Sequence, residues 1–274
     1  MVLSHTFQLY IIYIRETNIG MKDEKGMQLT RINLPRVDST NNFCRDMLPL
    51  GDGHEGMTLV VAEQQTAGRG QQDSQWESAA GQNLLFSLML QPKGLKASEQ
   101  FILSQCMALA LCRSLSKRTD GVSIKWPNDI YIHDGKVCGT LIECDLRGKE
   151  VETCIIGVGV NVNQERFTSD APNPVSLIQI TRKETDREQL LCDITDEFLK
   201  LYALAMEGKA DQIRQEYKEN LYRRKGLHLY EDVRGEFLAE IADVEPTGHL
   251  VLRFENGNTC RYEFKQVKHI LPLG

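Results

Sequence analysis

The spacing of hydrophobic and polar residues divides the chain into a mixed region of strands and helices and a C-terminal run of short strands. Continuous or alternating apolar runs predict strands at 28–34, 57–63, 83–90, 122–126, 137–146 and 151–162. Helical spacing predicts helices at 41–48, 98–117, 186–206 and 210–220. Ser98 would cap the second of these helices, and Thr185 with Glu188 would form a capping box for the third.

Residues 226–274 consist of short β-like runs separated by turns. Residues 255–258 (ENGN) stand between two alternating runs, which is the signature of a β-hairpin. A segment of about 50 residues with this pattern is typical of a small β-barrel appended to an α/β domain. The pattern therefore predicts two folded parts in series.

Composition places the chain among ordinary globular proteins and narrows the classes of partner. Its 274 residues are 41% apolar and 26% charged, which excludes a disordered or a collagenous chain. The formal net charge of -6 argues against a generally basic surface of the kind that binds nucleic acids. The eight cysteines form no CxxC pair and mostly lie in apolar runs, so we expect reduced, buried thiols and a cytoplasmic protein.

The N-terminus carries one apolar run, residues 7–14, which is too short to span a membrane and has no preceding Lys or Arg. We therefore predict neither a membrane span nor a signal peptide. Residues 20–27 are polar and contain glycines, and a strand pattern resumes at residue 28. We expect residues 1–27 to be a dispensable extension, with Met27 as a candidate start.

Three segments carry candidate chemistry, and the first, GRGQ at 68–71, follows a predicted strand. Its two glycines allow a backbone to approach a ligand closely, and Arg69 can bind a carboxylate or a phosphate in a forked geometry. The alternative is a solvent-exposed flexible turn with an ordinary arginine. The segment is not a dinucleotide fingerprint, since Asp73 stands where a third glycine is needed, and no Gly-Lys-Ser/Thr follows to make a P-loop.

The second segment is KWPND at 125–129. Lys125 lies near the end of an otherwise apolar strand, which is expected where a side chain points into a polar site. Pro127 ends the strand and Asn128-Asp129 turns the chain, and strand ends beside turns are common positions for catalytic groups. The alternative is an edge-strand lysine that discourages aggregation.

The third segment, GVGVNVN at 157–163, begins like a dinucleotide fingerprint but has Val162 in the place of the third glycine, so we do not predict a dinucleotide site. The six histidines include no pair at metal-ligand spacing, and no GxSxG elbow is present. We therefore predict no metal site made by protein residues alone. Trp76 and Trp126, taken singly, are expected in the core.

Five segments occur in order along the chain: DSTN at 38–41, QTAGRG at 65–70, KWPNDIY at 125–131, KVCGTLIE at 136–143 and GVGVNVN at 157–163. Their order and spacing resemble those of the biotin–protein ligase (biotin–[acetyl-CoA-carboxylase] ligase) family. The resemblance covers roughly residues 28–274. It implies a mixed α/β catalytic domain akin to the class II synthetase fold over 28–222, followed by an SH3-like barrel over 223–274.

The resemblance also implies a reaction in two steps. Biotin and MgATP give biotinyl-5′-AMP and pyrophosphate, and the biotinyl group then passes to a lysine of a biotin carboxyl carrier protein. Attack of a carboxylate on the α-phosphate brings negative charges together, so fixed cations and Mg²⁺ are expected. The implied catalytic cations are Lys125, toward the biotin carboxylate or the adenylate linkage, and Arg69, toward the phosphate.

Further site residues follow from the resemblance alone. The implied biotin-binding residues are Ser39, Thr40, Asn41, Gln65, Gly68, Arg69, Gly70, Gln71 and Lys125. The implied ATP- and adenylate-binding residues are Arg69, Trp76, Asn128, Gly159 and Asn161. Many family members have an arginine where this chain has Gln71, and Asp73 replaces a frequent glycine, so we expect weaker retention of the adenylate here.

The expected partner is a biotin carboxyl carrier domain, and we expect no membrane partner. We also expect no DNA partner, because residues 1–27 are too few for the helix-turn-helix domain of bifunctional relatives. The sequence leaves a homodimer open. Two alternative functions stay open as well, a lipoate–protein ligase, which shares the fold and the acyl-adenylate chemistry, and a biotin-sensing regulator.

Overall fold

The computed structural model describes residues 15–17 by their backbone and residues 29–48, 56–70, 75–168 and 173–270 with their side chains. Contacts between residues divide the chain into two units, each assembled from several stretches of sequence. The first comprises the described residues within 1–94, 138–171 and 176–187, and the second those within 95–137, 172–175 and 188–274. Met27, Gln71 and Asp73 lie outside the described residues.

Strands and helices alternate along the chain before a C-terminal succession of strands. The strands are β1 Arg15–Thr17, β2 Leu29–Leu34, β3 Met57–Ala62, β4 Leu84–Leu90, β5 Val122–Lys125, β6 Asp129–Ile132, β7 Gly135–Arg147, β8 Glu150–Val160, β9 His228–Asp232, β10 Gly235–Val244, β11 Leu250–Phe254, β12 Thr259–Tyr262 and β13 Lys268–His269. The helices are α1 Thr40–Met47, α2 Phe101–Ser116, α3 Leu177–Thr181, α4 Arg187–Met206 and α5 Ala210–Glu219, with a 3₁₀ turn at Ala97–Glu99. Within the part of the chain that the structure describes, no helix combines the length and the apolar character needed to cross a membrane.

The sheet of the first unit has the strand order β1-β2-β3-β4-β8-β7, in which β2 and β3 are parallel and the other neighbours are antiparallel. The central strands β3 and β4 are near-continuous apolar runs because both of their faces are buried. Helix α1 packs on one face, where its Phe43 and Cys44 join a buried cluster with Ile32, Val60 and Ile155. Burial of a Phe or Ile side chain stabilises a fold by about 1.5–3 kcal/mol.

The second unit is built around helix α2, which is buried almost all round. Its apolar sequence explains this burial, because a helix without a polar face belongs inside a protein. Arg113 of α2 pairs with Glu197 of α4 at 3.0 Å and with Glu216 of α5 at 2.6 Å, which ties three helices together. Strands β5 and β6 form an antiparallel hairpin in the same unit, with Lys125 opposite Asp129.

A five-stranded antiparallel sheet with the order β12-β11-β10-β9-β13 also belongs to the second unit. The predicted hairpin at 255–258 joins β11 to β12, and Gly257 there has a φ of 81°, which residues with a side chain rarely adopt. Tyr230 of β9 is fully buried and stacks on Phe237 of β10 with 6.0 Å between ring centroids. The C-terminal run of the sequence is therefore a β-sheet with its own aromatic core.

The predicted strands and long helices are confirmed in type and order, whereas three details differ. Ser98 does not cap helix α2, because it lies in the 3₁₀ turn and Gln100 holds the N-cap position. The turn after β5 is shorter than predicted, since Asp129 already begins strand β6. Helix α3, which is capped by a Ser176–Gln179 capping box, was missed because five residues carry too little periodicity to reveal a helix.

Candidate functional site

Two loops at one edge of the first unit's sheet are held side by side. Strands β2 and β3 are parallel, so the segments that follow their carboxyl ends emerge at the same edge. Val37 pairs with Gln65 in a parallel bridge, and the backbone N–H groups of Thr66 and Ala67 donate to the carbonyls of Val37 and Asp38 at 2.9 Å. The pairing of the strands thus continues into the two loops that carry the first predicted site residues.

The start of helix α1 carries three predicted biotin-binding residues, Ser39, Thr40 and Asn41, and all three are buried. The backbone N–H and the hydroxyl of Thr40 both donate to Gln65 Oε1, at 2.8 and 3.1 Å. The Ser87 hydroxyl of β4 lies 2.7 Å from Thr40 Oγ1 and 2.6 Å from Asn41 Oδ1. We call Thr40, Asn41, Gln65 and Ser87 the buried polar cluster; Gln65 is half-buried and the other three are buried. Because buried polar groups are costly unless they are hydrogen-bonded, this connected set forms a stable polar surface for a polar ligand.

Glu143 of strand β7 contacts the buried polar cluster through Asn41. The side-chain amide of Asn41 donates to Glu143 Oε2 at 2.8 Å, and the guanidinium of Arg69 donates to Glu143 Oε1 at 3.2 Å. Arg45 of α1 approaches the same Oε1 at 3.3 Å. One carboxylate, whose side chain is 20% exposed, therefore orients an amide and two arginines.

Two polar residues of this site, Ser87 and Glu143, were missed by the sequence prediction. Ser87 is the one polar residue of β4 (LLFSLML), and Glu143 is the first acidic residue of β7 (GKVCGTLIECDLR). A polar residue inside an otherwise apolar strand is the signal that could have found both, because such residues are uncommon in the interior unless they have partners.

Arg69, the predicted phosphate-binding cation, is held by two acceptors. Its Nη1 donates to Asn42 Oδ1 at 2.9 Å, and its Nη2 makes the bond to Glu143 described above. The side chain is 43% exposed, so a ligand can reach it. A guanidinium in this state can exchange a carboxylate partner for a phosphate oxygen, since both accept the same forked geometry.

The loop that carries Arg69 closes on itself through Gly68. The Trp76 N–H donates to the Gly68 carbonyl at 2.9 Å, and Arg69 pairs with Gln75 in an antiparallel bridge. A Cβ atom at Gly68 would lie 2.7 Å from the Trp76 carbonyl oxygen, so the close approach requires glycine. Gly70 is half-buried and is the last described residue before Gln75.

Strand β8 presents a face without side chains to this loop and to helix α1. A Cβ atom at Gly157 would overlap the side-chain amide of Asn41, and a Cβ atom at Gly159 would overlap the indole of Trp76. The two glycines are two residues apart and therefore lie on the same face of the strand. Trp76 and Gly159, both predicted adenylate-binding residues, are thus in contact. Asn161 is buried just beyond β8, where its carbonyl accepts a hydrogen bond from the first N–H of α3 at 3.1 Å.

In the second unit, Lys125 occupies a desolvated position on β5. Its ammonium lies 5.2 Å from the centroid of the Tyr131 ring, within the range of a cation–π contact. Burial lowers the pKa of Lys125, the opposing carboxylate of Asp129 acts in the other direction, and the charges of Lys136 and Arg223 lower it further. The side chain of Lys125 as a whole is half-buried.

A second lysine of the same unit, Lys136 near the start of β7, was missed by the sequence prediction. Its Nζ forms an ion pair with Asp129 Oδ2 at 2.7 Å, and its side chain is 30% exposed. The signal that could have found it is its place in KVCGTLIE, one of the segments that carry the family resemblance.

Asn128 and Trp126 are packed into the second unit. Asn128 is buried, and its amide donates to the Ser104 hydroxyl of α2 at 3.2 Å. Trp126 is buried as expected, and its indole N–H donates to the Gly248 carbonyl at 2.9 Å. Among the residues described, no three His, Cys, Asp or Glu side chains are placed to share a metal ion.

Relatives of this chain are found among biotin and lipoate ligases. The sequence profile of the biotin/lipoate A/B protein ligase family matches residues 34–161. A biotin–[acetyl-CoA-carboxylase] ligase of Paracoccus denitrificans is 36% identical over 167 residues, which are 58% of this chain and 67% of that protein. The bifunctional ligase/repressor BirA of Bacillus subtilis is 37% identical over 196 residues, which are 68% of this chain and 58% of that protein.

A solved structure shares the fold. The biotin protein ligase from Aquifex aeolicus, in complex with biotin and ATP, has a TM-score of 0.72 at 24% identity and covers 88% of this chain and 99% of that one. The chain spans 58% of the length of the Bacillus relative, which is less than two thirds. The buried polar cluster, Arg69, Glu143 and Gly159 all lie inside the range that the family profile matches. The chain therefore belongs to the biotin/lipoate A/B protein ligase family.

Proposed function

We propose that the chain is an ATP-dependent biotin–protein ligase, which makes biotinyl-5′-AMP from biotin and ATP and transfers the biotinyl group to a lysine of a biotin carboxyl carrier domain. The observation that carries the proposal is the buried polar cluster, which Glu143 joins to Arg69. The name of the Paracoccus relative and the biotin and ATP bound by the Aquifex protein support it.

The buried polar cluster suits the ureido ring of biotin, which offers N–H donors and a carbonyl acceptor at one end of a small apolar bicycle. We assign hydrogen bonds with that ring to Ser39, Thr40, Asn41 and Gln65. Their side chains present hydroxyl and amide groups, which can act as donors or acceptors. The face of β8 at Gly157 carries no side chain, so the apolar part of the ligand can approach the backbone there.

In the first step, a carboxylate oxygen of biotin attacks the α-phosphorus of ATP, so a P–O bond forms and the bond to pyrophosphate breaks. Charge accumulates on the phosphate oxygens, and preoriented cations stabilise it without reorganisation. We assign this role to Arg69 and Lys125, and we add Lys136 because its ion pair leaves the side chain partly exposed. Mg²⁺ bound to the ATP phosphates would add to the neutralisation.

The loop after β3 would enclose the adenylate. We assign the backbone of residues 68–71 to contacts along the ligand and the indole of Trp76 to covering the adenylate against Gly159. Asn128 and Asn161 are buried, so we assign them a positioning role through the turns that they hold.

In the second step, the neutral amine of the carrier lysine attacks the carbonyl carbon of the mixed anhydride. A C–N bond forms, the bond from that carbon to the phosphate oxygen breaks, and AMP leaves. The enzyme has only to exclude water from the anhydride and to hold it close to the amine.

We further propose that residues 1–27 are a dispensable extension, 28–222 a class II synthetase-like catalytic domain, and 223–274 an SH3-like barrel. The five-stranded antiparallel sheet of β9–β13, which lies wholly after residue 223, supports the last assignment.

Exchange of radiolabelled pyrophosphate into ATP tests the first step, and ATP-dependent labelling of a purified carrier domain tests the second. We expect exchange that depends on biotin and none that depends on lipoate. Exchange with lipoate alone would replace the proposal with a lipoate–protein ligase. Biotin binding without any exchange would favour the biotin-sensing regulator instead.

A further inference from the structure

Two cysteines face each other across the hairpin of β7 and β8. Cys144 and Cys154 are register partners in this antiparallel pair, so their side chains lie on the same face of the sheet. Directly opposite residues in antiparallel strands have Cα atoms roughly 4.5–5.5 Å apart. A disulfide needs a Cα separation of about 4.4–6.8 Å, so the strand pairing already provides the required spacing.

The two thiols interact and differ in exposure. The interaction with the Cys154 thiol lowers the pKa of Cys144. Interaction with Cys144, together with burial, raises the pKa of Cys154. Cys144 is half-buried, whereas Cys154 is fully buried. These differences make Cys144 the thiol that reacts first with a reagent from solvent.

Cys144 lies near the turn end of the hairpin, and this end gives access to it. The residues that follow it, 145–150, are exposed, and the turn at Gly148 carries no side chain. A small reagent can therefore approach the sulfur of Cys144 from this end without passing through the core. Cys154, in contrast, is fully buried and is not open to a reagent from solvent.

Three other cysteines differ from this pair. Burial raises the pKa of Cys44 and of Cys106 to about 12, so these thiols are unreactive. Cys260 is half-buried like Cys144, but its register partner on β11 is Leu252. Cys260 therefore offers a control of similar exposure without a thiol opposite to it.

We propose that Cys144 and Cys154 form a thiol–disulfide exchange site that takes low-molecular-weight disulfides such as glutathione disulfide. The Cys144 thiolate attacks one sulfur of the disulfide, so a mixed disulfide forms and one glutathione thiolate leaves. Cys154 then loses its proton and attacks the Cys144 sulfur, so the cross-strand disulfide forms and the second glutathione thiolate leaves. The protein loses two electrons and two protons, and the glutathione disulfide is reduced to two thiols.

The exchange site does not depend on the proposed ligase activity, but it lies next to a residue of the ligase site. Glu143 precedes Cys144 on β7, and its side chain points to the opposite face, where it binds Asn41 and Arg69. The cross-strand disulfide links residues that are already paired, so it forms without a change of register.

Peptide mapping of the full chain after incubation with glutathione disulfide tests the proposal. The reduced protein is freed of reductant, exposed to glutathione disulfide, alkylated, digested without reductant and analysed by mass spectrometry. We expect a linked pair of peptides with Cys144 joined to Cys154, lighter by two hydrogens than the separate peptides, and its loss on treatment with dithiothreitol.

Three variants separate the steps. Cys154→Ser should stop at glutathione bound to Cys144, because no resolving thiol is present. Cys144→Ser should leave Cys154 unmodified, because Cys154 is buried. Cys260→Ser should form the Cys144–Cys154 disulfide as the wild type does. A wild-type protein that retains glutathione on Cys144 without forming the linked peptides would overturn the proposal, and so would modification of Cys154 in the Cys144→Ser chain.

Discussion

Glu143 accepts hydrogen bonds from Asn41 and from Arg69, and Arg45 lies within 3.3 Å of the same carboxylate. Asn41 belongs to the surface assigned to biotin, and Arg69 is assigned to the phosphate. A single carboxylate therefore sets the orientation of groups that serve two parts of one ligand. Hydrogen bonds to a charged acceptor are stronger than neutral ones, so the charge of Glu143 matters as well as its position.

Replacing Glu143 with Gln removes this charge while keeping the shape of the side chain. We expect affinity for biotin to fall roughly tenfold, because about 1.4 kcal/mol is a typical difference between charged and neutral hydrogen bonds. Calorimetric titration with biotin measures the change. Asp145→Asn is the matched control. The Asp145 carboxylate pairs with Arg45 at 3.8 Å and, among the described residues, with neither Asn41 nor Arg69, so this variant should bind biotin normally. Unchanged affinity in Glu143→Gln would contradict the positioning role.

The contributions of Lys125 and Lys136 to the first step can be measured separately by removing each charge in turn. We expect Lys125→Met and Lys136→Met each to slow biotin-dependent pyrophosphate exchange by about 10²–10³-fold, the cost of losing one preoriented group that stabilises transition-state charge. Lys149→Met, in the exposed β7–β8 turn, should keep the wild-type rate. If Lys125→Met exchanged pyrophosphate at the wild-type rate, the role assigned to Lys125 would be wrong.

At the scale of the element, strand β8 contributes to the site because one of its faces carries two glycines in place of side chains. Gly157 and Gly159 remove side chains from one face, and Asn41 and Trp76 occupy the space. Val158 points to the opposite face and is buried. The strand is therefore a packing element on one side and a contact surface for the site on the other.

Gly157→Ala should weaken biotin binding by roughly 5- to 140-fold, because the added methyl group displaces the Asn41 amide and overpacking costs roughly 1–3 kcal/mol. Val158→Ala, one residue away on the other face, should lower the free energy of unfolding but leave the affinity for biotin unchanged. Calorimetric titration and urea denaturation of both variants make the comparison. Normal binding in Gly157→Ala would show that Asn41 is not needed in its present place.

At the scale of the whole molecule, the C-terminal sheet introduces a dependence of stability on pH. His269 of β13 is half-buried, both of its ring nitrogens are inaccessible to solvent, and its ring lies 4.8 Å from that of Tyr230. Burial, with the nearby charges of Lys125 and Arg223, lowers the pKa of His269 from 6.5 to about 3. Neither ring nitrogen has a hydrogen-bond partner among the residues that the structure describes. The folded chain therefore holds His269 neutral, whereas the unfolded chain protonates it below its ordinary pKa.

Because the unfolded state binds the extra proton between pH 6.5 and about 3, His269 makes the folded state less stable as the pH falls through this window. The contribution approaches about 1.4 kcal/mol per pH unit. His269→Phe keeps a ring beside Tyr230 and should flatten the fall in unfolding free energy between pH 6.5 and 4.5, as measured by urea denaturation. His133→Asn leaves His269 and the charges that act on it in place, so its unfolding free energy should fall with pH as that of the wild type does. If the unfolding free energy of His269→Phe fell as steeply as that of the wild type, the acid sensitivity would belong to other groups.

Local patterns were sufficient to predict the strands and the long helices. The runs MTLVVA and NLLFSLML became β3 and β4 because continuous apolar stretches of this length are buried on both faces. The ENGN segment became a hairpin because its glycine adopts a positive φ. Helix α3 and strand β6 were missed because their stretches of four or five residues carry too little periodicity.

The sequence by itself thus determined the order of the elements, the family resemblance and the segments that hold the site, since these depend on neighbouring residues and on motif spacing. Only the tertiary structure decided that Glu143 binds Asn41, which lies 102 residues earlier in the chain, and that Cys144 faces Cys154. Such pairs depend on strand register, and a slip of one residue would turn every side chain to the other face. Register is set by the packing of the whole sheet, which no single segment of the sequence contains.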